Sequence, residues 1–274
     1  MSSPVTPVEI IVLGAQGRMG RMVLSACAKI LREKNPSPLS VIAAIESKGK
    51  PDIGQKFTVD GLELILGDSL ETVAKPGSVI IDFTVPESSL SALDVAERKG
   101  AAYVLCTTGF TPEQKSRIEA ASRKIPMVQA PNMSIGVTVL FKVAEMVAKT
   151  LGEDFDVEII EAHHNQKKDA PSGTALGFAE AVAKGLDASL DEVAVYGRRG
   201  LIGARPKGEI GIHAVRGGDI AGDHTVLFAG DGERVELRHV AHDRRIFANG
   251  AIRAALFLKG KPPGTYNMMD VLGL

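Results

Sequence analysis

The sequence predicts an α/β fold in two parts, an N-terminal domain of the Rossmann type and a second domain of α+β type. Three observations carry the prediction. A β-branched strand runs straight into a glycine turn and a helix; strands and helices then alternate through the first half of the chain; past Met133 the alternation gives way to a run of glycine-punctuated strands. At 274 residues the chain is long enough for two domains that each bury a core.

After an opening MSSPVTP that reads as a frayed tail, Val8-Glu9-Ile10-Ile11-Val12-Leu13 is a buried strand. It leads into Gly14-Ala15-Gln16-Gly17-Arg18-Met19-Gly20 and a helix whose apolar face is Met19, Val23, Ala26, Cys27, Ile30 and Leu31, ending by Asn35-Pro36. Strand, glycine turn and helix form the setting that a dinucleotide fingerprint requires, although the spacing is GxxGxxG, with Gln16 where the usual motif has its second glycine. There Gly14 makes the tight turn, Gly17 lets the backbone approach a pyrophosphate, and Gly20 lets helix and strand pack closely. A second strand over 39–45 ends in Glu46, 26 positions after Gly20. An acidic residue about 20 positions past the fingerprint binds the ribose hydroxyls, and the Pro36-Ser37-Pro38 loop absorbs the excess. Lys48 and Lys50 are either a solvated loop or a means of tolerating a 2′-phosphate. Strands over 78–83, 102–106 and 126–129 and helices over 87–99 and 112–124 continue the alternation. At the carboxyl ends of those strands stand Asp82-Phe83-Thr84, Cys106-Thr107-Thr108-Gly109 and Ala130-Pro131-Asn132-Met133. In an open parallel sheet that edge is where a ligand binds.

A helix over 136–151, with Val139, Leu140, Val143, Met146 and Val147 on one face, opens the second half. A strand from Asp156 then ends near Glu161, and the stretch EAHHNQKKDAPSGTAL, Glu161 to Leu176, is denser in chemistry than any other. The helix after it carries Ala175, Phe178, Ala179, Val182, Ala183 and Leu186 on its apolar face and a Glu180–Lys184 pair on the other, so it starts near Pro171 or Ser172. Ser172-Gly173-Thr174 leaves N–H groups and hydroxyls at the positive end of the helix dipole, an anion pocket to which Lys167 adds a full charge. His163 and His164 supply groups that exchange protons near neutral pH. The chemistry this suggests is proton transfer onto, or charge stabilisation of, a small anionic substrate. No metal is expected: the histidines have no carboxylate or cysteine at zinc-ligand spacing, and Cys27 and Cys106 lie far away in sequence. Strands over 193–196, 209–215, 225–228 and 234–239 follow. The glycine-rich basic run 198–207 reads as a long loop that orders on contact with a partner subunit, and a last helix over 247–258 precedes a short tail.

Composition is that of a soluble globular protein, 45% hydrophobic and 24% charged, with a net charge of −1 that gives no general attraction to nucleic acid or membrane. Two cysteines without framework spacing, no signal-peptide pattern and no long apolar run point to the cytoplasm. With no tryptophan and 4% aromatics, nothing resembles a stacking platform for bases.

Gly14–Gly20, Asp82-Phe83-Thr84, Thr107-Thr108-Gly109-Phe110, Glu161-Ala162-His163-His164, Lys167 with Asp169-Ala170-Pro171-Ser172-Gly173-Thr174-Ala175-Leu176, and Phe247-Ala248-Asn249-Gly250-Ala251 stand in one order. Over almost the whole chain that order resembles the 4-hydroxy-tetrahydrodipicolinate (dihydrodipicolinate) reductases. The resemblance implies reduction of 4-hydroxy-tetrahydrodipicolinate by NADH or NADPH in the diaminopimelate route to lysine. It implies a dinucleotide-binding domain of residues 1–132 completed by 245–274, a substrate-binding and oligomerisation domain of residues 133–244, a small dicarboxylate substrate and a homotetramer. Carried over by residue, His163 is the acid/base group and Lys167 a proton donor, while His164, Ser172, Gly173 and Thr174 hold the substrate carboxylates. Gly14, Ala15, Gln16, Gly17, Arg18 and Met19 bind the dinucleotide phosphates, and Glu46 binds the ribose. Cys106, Thr107 and Thr108 with Ala130, Pro131, Asn132 and Met133 line the nicotinamide side. Cys106 stands where many relatives have glycine, Ser47 where some have an arginine for the 2′-phosphate, and Asn165-Gln166 is less basic than usual. The alternative is another nicotinamide-dependent dehydrogenase of a small amino or oxo acid, which has no stated need for the HHxxK and SGT string.

Overall fold

The structure is a computed structural model that describes residues 6–274; most of the frayed-tail expectation therefore falls on Met1–Val5, outside the described residues. The chain forms two compact units, one of residues up to Ser134 together with Arg244–Gly273, the other of Ile135–Asp243 together with Leu274. The first unit runs β1 (Val8–Leu13), α1 (Arg18–Glu33), β2 (Leu39–Ile45), β3 (Lys56–Val59), β4 (Leu62–Gly67), β5 (Ser78–Asp82), α2 (Pro86–Lys99), β6 (Ala102–Leu105), α3 (Pro112–Ser122) and β7 (Pro126–Gln129). The second unit runs α4 (Ile135–Leu151), β8 (Asp156–His163), α5 (Gly173–Gly185), α6 (Leu190–Val193), β9 (Ala194–Tyr196), β10 (Ile210–Arg216), β11 (Asp223–Ala229) and β12 (Arg234–Val240). The chain then completes the first unit with α7 (Arg245–Phe257), β13 (Gly264–Tyr266) and α8 (Met268–Leu272).

The sheet of the first unit has the order β13-β7-β6-β5-β1-β2-β4-β3, parallel throughout except for the β3–β4 hairpin at one edge. Side chains alternate across it. Val8, Ile10 and Val12 of β1 join the core that holds Val23, Leu24 and Cys27 of α1 with Ala248, Ala251 and Ile252 of α7. Ile11 and Leu13 face the core of Leu93 and Ala96 from α2 and Ile118 and Ala121 from α3. Strand order reverses about β1, whose neighbours are β2 and β5, and the crevice outside the carboxyl ends of such strands is where the fold binds ligands.

In the second unit the sheet has the order β12-β11-β8-β10-β9. β10 runs parallel to β8, with Arg216 opposite His163, and β11 runs antiparallel to it, with His224 opposite Glu161. Because the side-chain period is two, Val157, Ile159, Glu161 and His163 share one face with Ile210, Ile212, Arg216, Val226 and Phe228. Most of their apolar members pack with Ala175, Phe178 and Val182 of α5 and Ala144 and Ala148 of α4. The other face carries Ile160 and Val215 beside Glu158 and His213, and stands partly open in the single chain, with Ile160 and Val215 exposed.

Several expectations are corrected. β8 continues to His163, so this histidine stands on a strand rather than in a loop. Lys184 pairs with Glu145 of α4 at 3.0 Å instead of with Glu180. The run 198–207 is irregular as expected, but two of its three arginines, Arg198 and Arg205, are anchored within this chain. Arg198 and Arg205 both bind Glu158, at 2.9 Å each, and Arg205 also reaches Asp156. These cations and His213 outweigh the burial that would raise the Glu158 carboxyl and bring it down to about 2.

Candidate active site and dinucleotide cleft

In the first unit a cavity of about 870 Å³ opens at the carboxyl ends of β1, β2 and β5, lined among others by Gly14, Gln16, Gly17, Glu46 and Thr84. Its cradle is built for close approach. Gly14 has φ 61°, a left-handed conformation that suits glycine, and a Cβ on Gly20 would lie 2.2 Å from Gly14 O. Helix α1 begins at Gly17 with no side-chain cap and no acidic residue in its first turn, which leaves its N–H dipoles available to an anion. Glu46 is held by the N–H groups of Ser47 at 2.9 Å and Gln16 at 3.2 Å, with Lys50 at 3.4 Å. Burial pushes its carboxyl up, but those N–H groups and the lysine outweigh burial and hold it below its usual range. A fixed carboxylate beside open helix dipoles, in a cleft of this volume, fits a dinucleotide. It can accept hydrogen bonds from ribose hydroxyls while the helix start takes the pyrophosphate.

The second unit gathers a different set at the carboxyl end of β8. Glu161 is fully buried and takes a hydrogen bond from each of three directions: His163 Nδ1 at 2.7 Å, the Ser172 N–H at 2.9 Å, and Arg216, whose Nη1 and Nη2 reach the two carboxylate oxygens at 2.7 and 2.8 Å. Ser172 caps α5 by accepting from the Ala175 N–H at 3.1 Å, so its hydroxyl hydrogen is free to go to His224 Nε2 at 3.0 Å. The His224 ring stands edge-on to His163, with centroids 5.1 Å apart. A Cβ on Gly222 would come 3.0 Å from His163 Nε2, so that nitrogen has a glycine backbone before it instead of a side chain. Lys167 Nζ lies 2.9 Å from Asp169 Oδ1. The loop carrying it is clipped to the β10–β11 turn by His164 N–H to Ile220 O at 2.8 Å and Asn165 N–H to Gly218 O at 3.2 Å.

These contacts fix protonation states. Burial would raise the Glu161 carboxyl, but Arg216, His163 and the Ser172 N–H outweigh burial and hold it low, so it is a carboxylate. Burial lowers the basicity of His163, opposed by Glu161 and reinforced by Lys167 and Arg216. At neutral pH the imidazole is therefore neutral, its Nδ1 proton faces Glu161, and Nε2 presents a lone pair. His224, pushed down to about 3 by burial and by the neighbouring His163, stays neutral as well.

A family model described as dihydrodipicolinate reductase, N-terminus, matches residues 8–133, and its C-terminal counterpart matches residues 136–272. The chain belongs to the dihydrodipicolinate reductase family. It is 46% identical over 270 residues to the 4-hydroxy-tetrahydrodipicolinate reductase of Geobacter sulfurreducens, covering 97% of this chain and 99% of that one. To the enzyme of the same name from Nitrosospira multiformis it is 48% identical over 273 residues, covering 97% and 98%. A dipicolinate-bound dihydrodipicolinate reductase from Paenisporosarcina sp. TG-14 has the same fold, with a TM-score of 0.72 at 24% identity over 97% of this chain and 99% of that chain.

Within this reductase fold, Gly14, Gln16, Gly17 and Glu46 come together at one cleft. Ala15 is fully buried, its N–H bound to Ile45 O at 3.1 Å, and Arg18 points outward. Met19 packs on the core. Thr107 is joined to the cleft residue Thr84 through Asp82, which both hydroxyls contact. Cys106 is kept a thiol by burial and by Asp82, and Thr108 follows on the exposed side. In the loop after β7, Ala130 and Met133 are buried, Pro131 is exposed, and Asn132 Oδ1 accepts from the Ser134 N–H at 2.8 Å. Gly250 of α7 fits against that loop, for a Cβ there would lie 1.7 Å from Met133 O. In the second unit His163 and Ser172 come together, while Gly173 is exposed at the start of α5 with Thr174 beside it. Ser172 is 2% exposed, with its hydroxyl accepting from the Ala175 N–H and facing His224 Nε2. Sequence reasoning missed Glu161 as a partner of His163, although two residues along a strand place both on one face. It also missed Arg216 and His224, which only the strand register delivers.

Proposed function

We propose that the chain reduces 4-hydroxy-tetrahydrodipicolinate to tetrahydrodipicolinate with NADH or NADPH, on the diaminopimelate route to lysine, as its close family relationship to reductases of that name indicates. The observation that carries the site assignment is the Arg216–Glu161–His163 chain beside Lys167 and the open start of α5. The bound dinucleotide supplies a hydride. The residues of the chain do the rest. Gly173 and Thr174, with His164, hold the substrate carboxylates at the positive end of α5, and Ser172 keeps that turn in shape. Lys167 supplies a fixed cation and a proton, and His163 is the acid/base group acting at Nε2, its imidazolium stabilised by Glu161 whenever it takes a proton. The cleft holds the dinucleotide through Gly14, Gly17 and Glu46, with the loops at Cys106–Thr108 and Ala130–Met133 on the nicotinamide side.

The partly open sheet face of the second unit, with Ile160, Val215 and Val240 exposed, suits a homotetramer in which copies cover one another. No described helix is long and apolar enough to cross a membrane, in keeping with a cytoplasmic enzyme. The deciding assay supplies the substrate by condensing pyruvate with aspartate semialdehyde through the upstream synthase and follows NADH and NADPH absorbance. Oxidation dependent on this protein is expected, and none above background with either cofactor refutes the reading. Light scattering that finds a stable monomer at micromolar concentration refutes the tetramer.

A further inference from the structure

Asp82, at the carboxyl end of β5, is fully buried and touches Thr84 and Thr107, but no role is assigned to it above. One oxygen accepts from the Thr84 N–H at 2.8 Å and the Thr84 hydroxyl at 2.7 Å, with the Thr107 hydroxyl at 3.4 Å. The other accepts from the Tyr103 hydroxyl at 2.7 Å. Ser89 closes the ring by donating to Thr107 at 2.9 Å. The Thr84 N–H can only donate, and the three hydroxyls are placed to donate as well, an arrangement that suits a carboxylate. Among the described residues none of its hydrogen-bond partners is a cation. A buried carboxylate balanced only by neutral hydroxyls and one amide keeps most of its field.

The groups it holds belong to the cleft. Thr84 lines it, and a Cβ on Gly14 would lie 3.0 Å from Thr84 Cγ2, so the threonine methyl seats the first turn of the fingerprint. Thr107 carries the loop after β6. The two redox forms of a nicotinamide dinucleotide differ by one positive charge on the nicotinamide ring. A fixed negative charge behind the loops that face that ring therefore favours the oxidised form.

We propose that Asp82 is a positioning residue that sets the loops of the dinucleotide cleft and, through its unpaired charge, tilts the cleft toward the oxidised cofactor, making the bound reduced form a better hydride donor. This rests on the placement of Cys106–Thr108 on the nicotinamide side. The test is the pair of dissociation constants for NADH and NAD+ on the protein without substrate, by fluorescence and calorimetry. Asp82→Asn keeps the shape and removes the charge, and should raise the ratio of the NAD+ constant to the NADH constant by roughly tenfold. Thr84→Val, which loosens the loop but keeps the charge, should weaken both forms by a similar factor and leave the ratio alone. An unchanged ratio in Asp82→Asn, with both forms still bound, overturns the proposal. Failure of the wild type to bind either form would instead overturn the cleft assignment on which it rests. Should Asp82→Asn fail to fold, Tyr103→Phe strips a screening dipole from the same carboxylate and should move the ratio the other way, toward NAD+; no movement there overturns the proposal equally.

Discussion

Glutamine at position 161 tests the proposed chemistry of the second unit at its most constrained point. Glu161 Oε1 meets only donors, the Ser172 N–H and Arg216 Nη2, so the single carbonyl oxygen of a glutamine settles there. Its NH2 group then occupies the place of Oε2, against Arg216 Nη1 and His163 Nδ1. Facing a donor, Nδ1 must become an acceptor, and the ring proton moves to Nε2, which inverts the tautomer that the wild type presents. Proton transfer at Nε2 by a positioned group is worth about 10²–10⁴ in rate, and a wrong tautomer forfeits most of it. Turnover of Glu161→Gln should fall by that factor while the Michaelis constant for the dinucleotide stays put. Breaking a buried pair costs about 3–5 kcal/mol, and we expect about 1–3 here because the Arg216 side chain is 21% exposed and keeps its bond to Asp169 O. The pH profile carries a sign as well. Glu161 supports the imidazolium, so without it the His163 limb should move to lower pH. Steady-state kinetics over the histidine titration range, with calorimetry for stability, make the measurement. A folded Glu161→Gln protein with turnover within about threefold of wild type refutes the dyad.

Other outcomes follow from the same geometry. Lys167→Ala should lower turnover by about 10²–10⁴, whereas Lys168→Ala, an exposed neighbour, should be close to neutral; equal damage would reduce the loop to a diffuse positive field. Glu46→Ala should raise the Michaelis constant for NADH and lower that for NADPH, since the carboxylate accepts from ribose hydroxyls and repels a 2′-phosphate; the same change for both contradicts the role. His224 falls from 6.5 to about 3 on folding, so the native state favours its neutral ring. That stability is fully present above pH 6.5 and lost as pH drops toward 3, by about 3–5 kcal/mol in all, so His224→Gln should flatten the acid limb of urea stability. Parallel acid limbs in wild type and variant would rule this out. Gly20→Ala forces a Cβ against backbone and should cost about 1–3 kcal/mol by chemical denaturation; an unchanged midpoint would show that α1 docks less closely than described.

Much of the first unit was legible because its strands are mostly apolar runs bounded on at least one side by glycine or proline: β1, β2 and β7 fall where the pattern puts them. The β3–β4 hairpin was missed although Asp60-Gly61, with φ 47° and 81°, is a strong two-residue turn, because its strands alternate with charged residues and read as loop. β13 and α8 were passed over as a tail for want of length. At the site, His163, Lys167 and the start of α5 were legible as neighbours in sequence. Arg216 and His224 were not, since they reach Glu161 only through the pairing of β10 and β11 with β8, and register is set by which faces are buried rather than by any local motif.

The first unit is assembled from two separated pieces of chain, and the later piece is no ornament. Ala248, Ala251, Ile252, Ala254 and Ala255 of α7 are all buried in the same core as α1 and β1. As the chain leaves the ribosome, the amino-terminal strands emerge with that side of their sheet covered by α1 alone, and must wait through the synthesis of all of Ile135–Asp243 for the helix that completes it. Apart from Leu274, the second unit is continuous and suffers no such delay. Synthesis order and folding order therefore run opposite ways: the segment made first is completed last. The exposed apolar flank of the waiting half is where a stalled or truncated chain would be captured by chaperones or aggregate.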